Sequence, residues 1–315
     1  MTLYPSYYAR NDFSEAGWND FYLNVLRNAG VKNIKSETMV RRQNRIFRRW
    51  LRRRTKRCIY SNNDFEVFKN YGVSGVYVKR FQDVWIGSDP ISIIERLFQN
   101  SDSFYKNSNT TAVGNFKLNN EMVVIKKFKV KRWFNPLKNM LRTSRGRRTW
   151  MFGWHLVLQK VPVPQPVFYF EKRVRRLLYE NYLGMMYYAH SMPVDKFLLT
   201  QTRFNHREFI NECASLCRKI TESTVYHGDF QLKNILVRYD NGTFSFCIID
   251  LDSIVMSNMN QSKKMEGMLR HLKKSYLRLD TPNTFTKREL MRFCILAFKN
   301  VPDKKNVIRR FLKVE

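Results

Sequence analysis

The chain has 315 residues, and 57 Lys and Arg against 26 Asp and Glu leave a formal charge of +31 at pH 7. So large an excess points to an anionic partner such as a nucleic acid, a membrane surface or a phosphate-rich substrate. At 43% hydrophobic and 15% aromatic the chain can bury a core, which excludes wholesale disorder, and its length suits one large domain or two lobes.

The opening MTLYPSYYARNDF carries neither an apolar stretch nor a small-residue cleavage site, so no secretory signal is expected. Residues 14–29 read as a helix, with Ser14 as cap, Phe21, Tyr22, Val25 and Leu26 as a stripe, and Gly30 as a stop. From Arg41 to Arg57 ten of seventeen residues are Lys or Arg, with Phe47, Trp50 and Leu51 spaced along one side. That segment reads as a membrane-surface or nucleic-acid contact. A strand is expected near Val76 to Arg80, and Asp89-Pro90 starts a helix through Phe98.

From Thr110 the pattern turns to β: Ala112 to Leu118, a turn at Asn119-Asn120, then Met122 to Lys129. A helix follows from Ser144 to Gln159, and VPVPQP at 161–166 ends it. Strands are drawn at Val167 to Arg173 and Gly184 to Ala189. After Pro193 the chain reads as mainly helical, apart from VYHGDFQLKNILV at 225–237 and FSFCIIDLD at 244–252. The most apolar window, Trp150 to Leu158, is nine residues long and holds His155, far short of the roughly 18 a spanning helix needs. The five cysteines show no metal or paired spacing; Cys213 and Cys217, four apart, read as two thiols on one buried helix face. Reduced thiols in a cytosolic compartment are expected.

Three segments fall in the order that phosphoryl transfer requires. Val123-Val124-Ile125-Lys126 ends a strand in a lysine able to hold the α- and β-phosphates of ATP. His227-Gly228-Asp229 is followed by Asn234, a spacing in which Asp229 accepts a hydroxyl proton and Asn234 turns back to a metal ion. Ile248-Ile249-Asp250-Leu251-Asp252 ends an apolar strand in carboxylates. Mg2+ takes hard oxygen donors and keeps several waters, so Asn234, Asp250 and Asp252 are its candidate ligands. Taken together these point to an α+β, two-lobed protein-kinase-like fold with a β-rich N-lobe, a short helical C-lobe and a basic N-terminal extension. The boundaries drawn are 1–65 for the extension, 66–190 for the N-lobe and 191–315 for the C-lobe.

At these residues the sequence resembles the lipopolysaccharide core kinases that phosphorylate Kdo or heptose. The resemblance rests on YHGDFQLKNILV, on IIDLD in place of a D-F-G triplet, on VVIKKF, and on SRGRRTWMFGWHLVLQKVPVPQP, and spans about residues 105–255. It implies that Lys126 binds phosphate, Asp229 is the catalytic base, Asn234 and Asp250 hold the metal, and His227 is a scaffold residue.

The sequence also departs from the protein-kinase pattern. No Asp or Glu occurs from Met122 to Phe170, so the helix after Lys126 offers no glutamate to position it; Glu171, His155 and Gln159 are the alternatives. Lys233 takes the place of a clamp on the transferring phosphoryl. The segment KNSNTTAVGNF at 106–116 has one glycine, leaving Ser108, Thr110 and Thr111 as phosphate donors. The alternatives are a RIO-like atypical protein kinase with an RNA or ribosomal partner, and a basic kinase-fold binding module without catalysis. An aminoglycoside- or choline-kinase-like enzyme is disfavoured, since 36 residues between His190 and His227 leave little room for a substrate insert.

The acid-free stretch 122–170 carries eleven Lys and Arg, with Trp133, Phe134, Leu137, Met140 and Leu141 at helical spacing among them. Aromatic anchors flanked by cations suit an anionic bilayer, or equally a stripe packed on the N-lobe. The expectation is therefore a kinase using ATP and Mg2+ on a sugar hydroxyl of the lipopolysaccharide inner core. It would sit at the cytoplasmic face of the inner membrane, contacting phosphate-rich glycolipid and anionic lipid through 41–57 and 126–148.

Overall fold

The computed structural model describes residues 36–100, 104–129, 143–175, 177–281, 284–301 and 304–313. The described chain falls into two compact units. One comprises 50–155 and 164–187, the other 36–49, 156–163 and the residues from 188 onward. The helix expected at 14–29 and the aromatic stripe at 133–141 lie outside the described residues.

The first unit is built on a seven-stranded antiparallel sheet. Its strands are β1 (Phe65–Asn70), β2 (Val73–Val78), β3 (Phe104–Asn107), β4 (Thr111–Leu118), β5 (Glu121–Lys129), β6 (Pro166–Val174) and β7 (Leu177–Met186), in the spatial order β1-β2-β6-β7-β5-β4-β3. The β4–β5 turn is the one expected: Asn119 and Asn120 both adopt positive φ, 46° and 62°, a conformation that asparagine tolerates and tight hairpins need. Strand β7 begins seven residues before the expected Gly184, because its register continues through Glu180 opposite both Lys129 and Lys172.

Alternation along these strands sorts side chains onto two faces. Val123 and Ile125 point into a core with Phe168, Phe170 and Tyr182, closed by Trp85 and by Ile91, Ile94 and Phe98 around helix α2 (Pro90–Gln99). Phe168 and Phe170 stack at 5.2 Å. Gly184 is there for them: a Cβ at that position would stand 2.2 Å from the Phe168 ring. Asp89 caps α2 by accepting the Ile91 N–H at 3.1 Å, and Pro90 occupies its first turn.

The opposite face carries Lys126 and Phe128 and receives helix α3 (Arg145–Leu158). Asn181 of β7 accepts the Gly146 N–H at 2.9 Å and so fixes the start of α3. The basic helix α1 (Ser36–Lys56) buries Phe47, Leu51 and Thr55, spaced four apart. Its apolar stripe is thus used inside the protein, while Arg45, Arg49, Arg52, Arg53 and Lys56 are exposed. The Thr55 hydroxyl donates to the Leu51 carbonyl at 2.9 Å and meets His155 Nδ1 at 2.7 Å. Its one proton is committed to Leu51, so His155 is the donor in that pair. Burial, aided by Arg52, lowers the His155 pKa to about 4.

The second unit carries helices α4 (Val194–Thr200), α5 (His206–Glu222), α6 (Gln261–Tyr276), α7 (Lys287–Ala297) and α8 (Lys304–Lys313). It also holds two small sheets. Strand β10 (Ile235–Asp240) lies between β8 (Met192–Pro193) and β11 (Thr243–Ile248), and β9 (Val225–His227) pairs with β12 (Ile254–Met256). Cys213 and Cys217 are both buried on α5, as their spacing implied, and all five cysteines are free thiols. Among the described residues no helix is long and apolar enough to cross a membrane.

Candidate active site

The loop between β9 and β10 is fixed from three sides. The Gly228 N–H donates to the Ser253 carbonyl at 3.1 Å, and the Ile249 N–H to the Asn234 carbonyl at 2.9 Å. The Leu232 N–H donates to Ser275 Oγ of α6 at 3.2 Å. These bonds bring the HGD segment, Asn234 and the strand leading to Asp250 into one cluster.

Within it both Asp229 oxygens accept side-chain amides. Asn234 Nδ2 donates to Oδ2 at 2.9 Å and also to the Asp229 carbonyl at 2.9 Å. Gln231 Nε2 donates to Oδ1. With Nδ2 engaged by Asp229, Asn234 Oδ1 is directed away from that carboxylate. The Asp229 N–H donates to His227 Nδ1 at 3.2 Å, which assigns the imidazole proton to Nε2, facing the Ile249 carbonyl at 3.4 Å. Burial pushes the His227 pKa below its ordinary value, against the opposing pull of that carbonyl, Asp250 and Asp229. The imidazole is fully buried and has a partner at each nitrogen.

Asp250 follows β11 in the left-handed region, at φ 57° and ψ 54°. Such backbone is uncommon outside glycine, and Asp and Asn are the side chains that tolerate it best. Asp252 lies two residues on, in a half-buried turn. Among the described residues no three His, Cys, Asp or Glu side chains gather as a metal cage. Asn234 with Asp250 and Asp252 is instead a sparse, all-oxygen set, which fits a magnesium ion that draws its remaining ligands from water and phosphate.

Lys126 belongs to the sheet unit. Its Nζ lies 5.3 Å from the Phe128 ring centroid, and the Arg145 guanidinium lies 4.8 Å from the same ring. The three side chains considered as its positioning partner have other engagements. Glu171 pairs with Arg173 at 3.0 Å, His155 bonds Thr55, and Gln159 accepts the Thr224 N–H at 3.0 Å. The glutamate that does hold a lysine of this strand is Glu95 of α2. It accepts Lys127 Nζ at 2.6 and 2.8 Å and also the Tyr182 hydroxyl, on the opposite face from Lys126. Ser108, Thr110 and Thr111 form the β3–β4 turn, where Ser108 Oγ donates to the Thr111 carbonyl at 3.1 Å and accepts its N–H at 3.2 Å.

A family model for the lipopolysaccharide kinases (Kdo/WaaP) matches residues 95–296, which contain Lys126, Asp229, Asn234, Asp250 and Asp252. The chain belongs to the lipopolysaccharide kinase (Kdo/WaaP) family. It is therefore a kinase, and neither the RIO-like alternative nor a non-catalytic binding module is retained. The fold is similar to a solved structure, WaaP in complex with acyl carrier protein, with a TM-score of 0.56 and 16% identity. That likeness covers 76% of this chain and 96% of the other. It gives the Kdo/WaaP chain the protein-kinase-like fold expected from its motifs. No curated protein matches it in sequence.

Proposed function

We propose that this protein transfers the γ-phosphoryl group of ATP to a hydroxyl of Kdo or heptose in the lipopolysaccharide inner core. The observation that carries the proposal is the Asp229 carboxylate, half-buried and held at both oxygens by the neutral amides of Gln231 and Asn234. A carboxylate so oriented can accept the proton of an incoming alcohol. In the step proposed, the sugar oxygen bonds to the γ-phosphorus as the bond to the β,γ-bridging oxygen breaks. ADP leaves, and the hydroxyl proton passes to Asp229.

Asn234, Asp250 and Asp252 would hold magnesium, which when bound supplies charge neutralisation between the phosphates. Lys126 is assigned to the ATP phosphates, and Lys233 to the charge on the transferring group. Ser108, Thr110 and Thr111 are assigned to phosphate contact; the Ser108 hydroxyl takes that part by exchanging bonds within its own turn.

The working location proposed is the cytoplasmic face of the inner membrane. Since Phe47 and Leu51 are buried, α1 would meet lipid through its exposed cations, each worth about 1 kcal/mol near an anionic leaflet. Incubation with γ-labelled ATP, magnesium and purified core lipopolysaccharide tests the reading. Label is expected on the core sugars, and label on added protein alone overturns it.

A further inference from the structure

The cleft at Asp229 has a second wall that the kinase motifs do not contain. It has a volume of about 370 Å³, and its lining includes Asp229 and Lys233 on the loop side and His271, Lys274 and Arg278 on the side of α6. His271, Lys274 and Arg278 are three and four residues apart, so they share one helix face continued into the following turn. Ser275 stands within that face and accepts the Leu232 N–H, which fixes it relative to Asp229.

Like charges four apart on a helix repel unless an anion lies between them. Among the described residues no side chain makes an ion pair or hydrogen bond with Lys233, Lys274 or Arg278. The one acid on α6, Glu266, faces Arg270 at 3.8 Å instead. The carboxylates in the cleft are Asp229, engaged by two amides, and Asp195, which accepts the Lys196 N–H at 2.8 Å. Lys233, Lys274 and Arg278, all exposed, thus line a cavity beside the proposed base, outnumbering its two acids.

We propose that this wall reads an oxyanion carried by the acceptor itself, a carboxylate or a phosphate neighbouring the hydroxyl to be phosphorylated. Lys274 and Arg278 grip that group, Arg278 through its planar fork, and the grip presents the hydroxyl to Asp229. The inference rests on the transfer reaction proposed above and names what selects its acceptor.

The test pairs the double variant Lys274→Gln, Arg278→Gln with three acceptors: intact core lipopolysaccharide, the same material with its carboxylates reduced to alcohols, and the same material dephosphorylated. With the intact acceptor the variant is expected to raise KM about tenfold or more while leaving KM for ATP unchanged. Lys274→Arg retains most of the wild-type value. The modified acceptor on which wild type and variant become equal identifies whether carboxylate or phosphate is read. An unchanged KM for the intact acceptor, or equal losses on all three, overturns the subsite.

Calorimetric titration with inorganic phosphate and with free Kdo separates the two proposals. Binding of either probe by wild type but not by the variant, in a protein that labels no core acceptor, supports the anion site and overturns the proposed function. Transfer to core sugars with equal binding of both probes by wild type and variant overturns the site alone.

Discussion

Glu95 and Asp229 are both carboxylates gripped at close range, but by partners of different kind. Glu95 sits between a lysine and a phenol: Lys127 neutralises it and the Tyr182 hydroxyl donates to it. Burial, with Glu95 beside it, pushes the Tyr182 pKa far above its ordinary value, so that hydroxyl keeps its proton. Asp229 is held by two neutral amides, which set its direction and leave its charge in place. The difference separates a carboxylate that joins a helix to a sheet from one proposed to receive a proton.

The largest effect that could break this comparison belongs to Asp229→Asn. It keeps the shape and removes the acceptor, so transfer from labelled ATP is expected to fall by 10²–10⁴-fold, roughly what a positioned base supplies. The thermal midpoint should stay near wild type. Full activity in this variant would make Asp229 no different from Glu95.

Next comes a third held side chain, His155. Its pKa of about 4 in the folded protein lies below the ordinary 6.5, so between those values the unfolded chain binds the extra proton. Its contribution is complete above pH 6.5 and is lost as the pH falls toward 4, on the order of 3 kcal/mol in all. Urea unfolding across that range should show the slope in wild type and a flatter one in His155→Gln.

Glu95→Ala should cost about 2 kcal/mol, since it strands the buried Tyr182 hydroxyl and a half-buried ammonium. Denaturation would report that loss, while kcat per folded molecule stays unchanged. Smallest is Gln231→Lys, which gives Asp229 the kind of partner that Glu95 has. A fall of about tenfold in kcat, roughly 1.4 kcal/mol, with little change in stability, sharpens the contrast; unchanged kcat would blunt it.

The Asp229 loop was legible because its information is local: the spacing had Asn234 turn back toward a metal ion, and in the structure it does turn back, with its amide on the aspartate. The Asn119-Asn120 hairpin and the Asp89 cap were legible for the same reason. Glu95 was not, since it precedes Lys127 by 32 residues and meets Tyr182 across 87. The acids and amides considered for Lys126 lie downstream of it, whereas Glu95 lies upstream and on the face of Lys127, which strand parity sets opposite Lys126. The segment 41–57 read as a membrane-surface or nucleic-acid contact, and periodicity shows its apolar stripe without showing what covers it; Phe47 and Leu51 are core. The cationic wall of α6 escaped because nothing in KKSYLR announces that Ser275 ties it to a loop some forty residues earlier.

The left-handed backbone at Asp250 limits how this position can change. Conformation alone admits Gly, Asn and Asp there, while the oxygen set proposed beside Asn234 asks for a charged donor. Aspartate satisfies both. A saturation library at position 250 sorted only for folded protein should therefore return those three residues, and the same library sorted for phosphoryl transfer should return one.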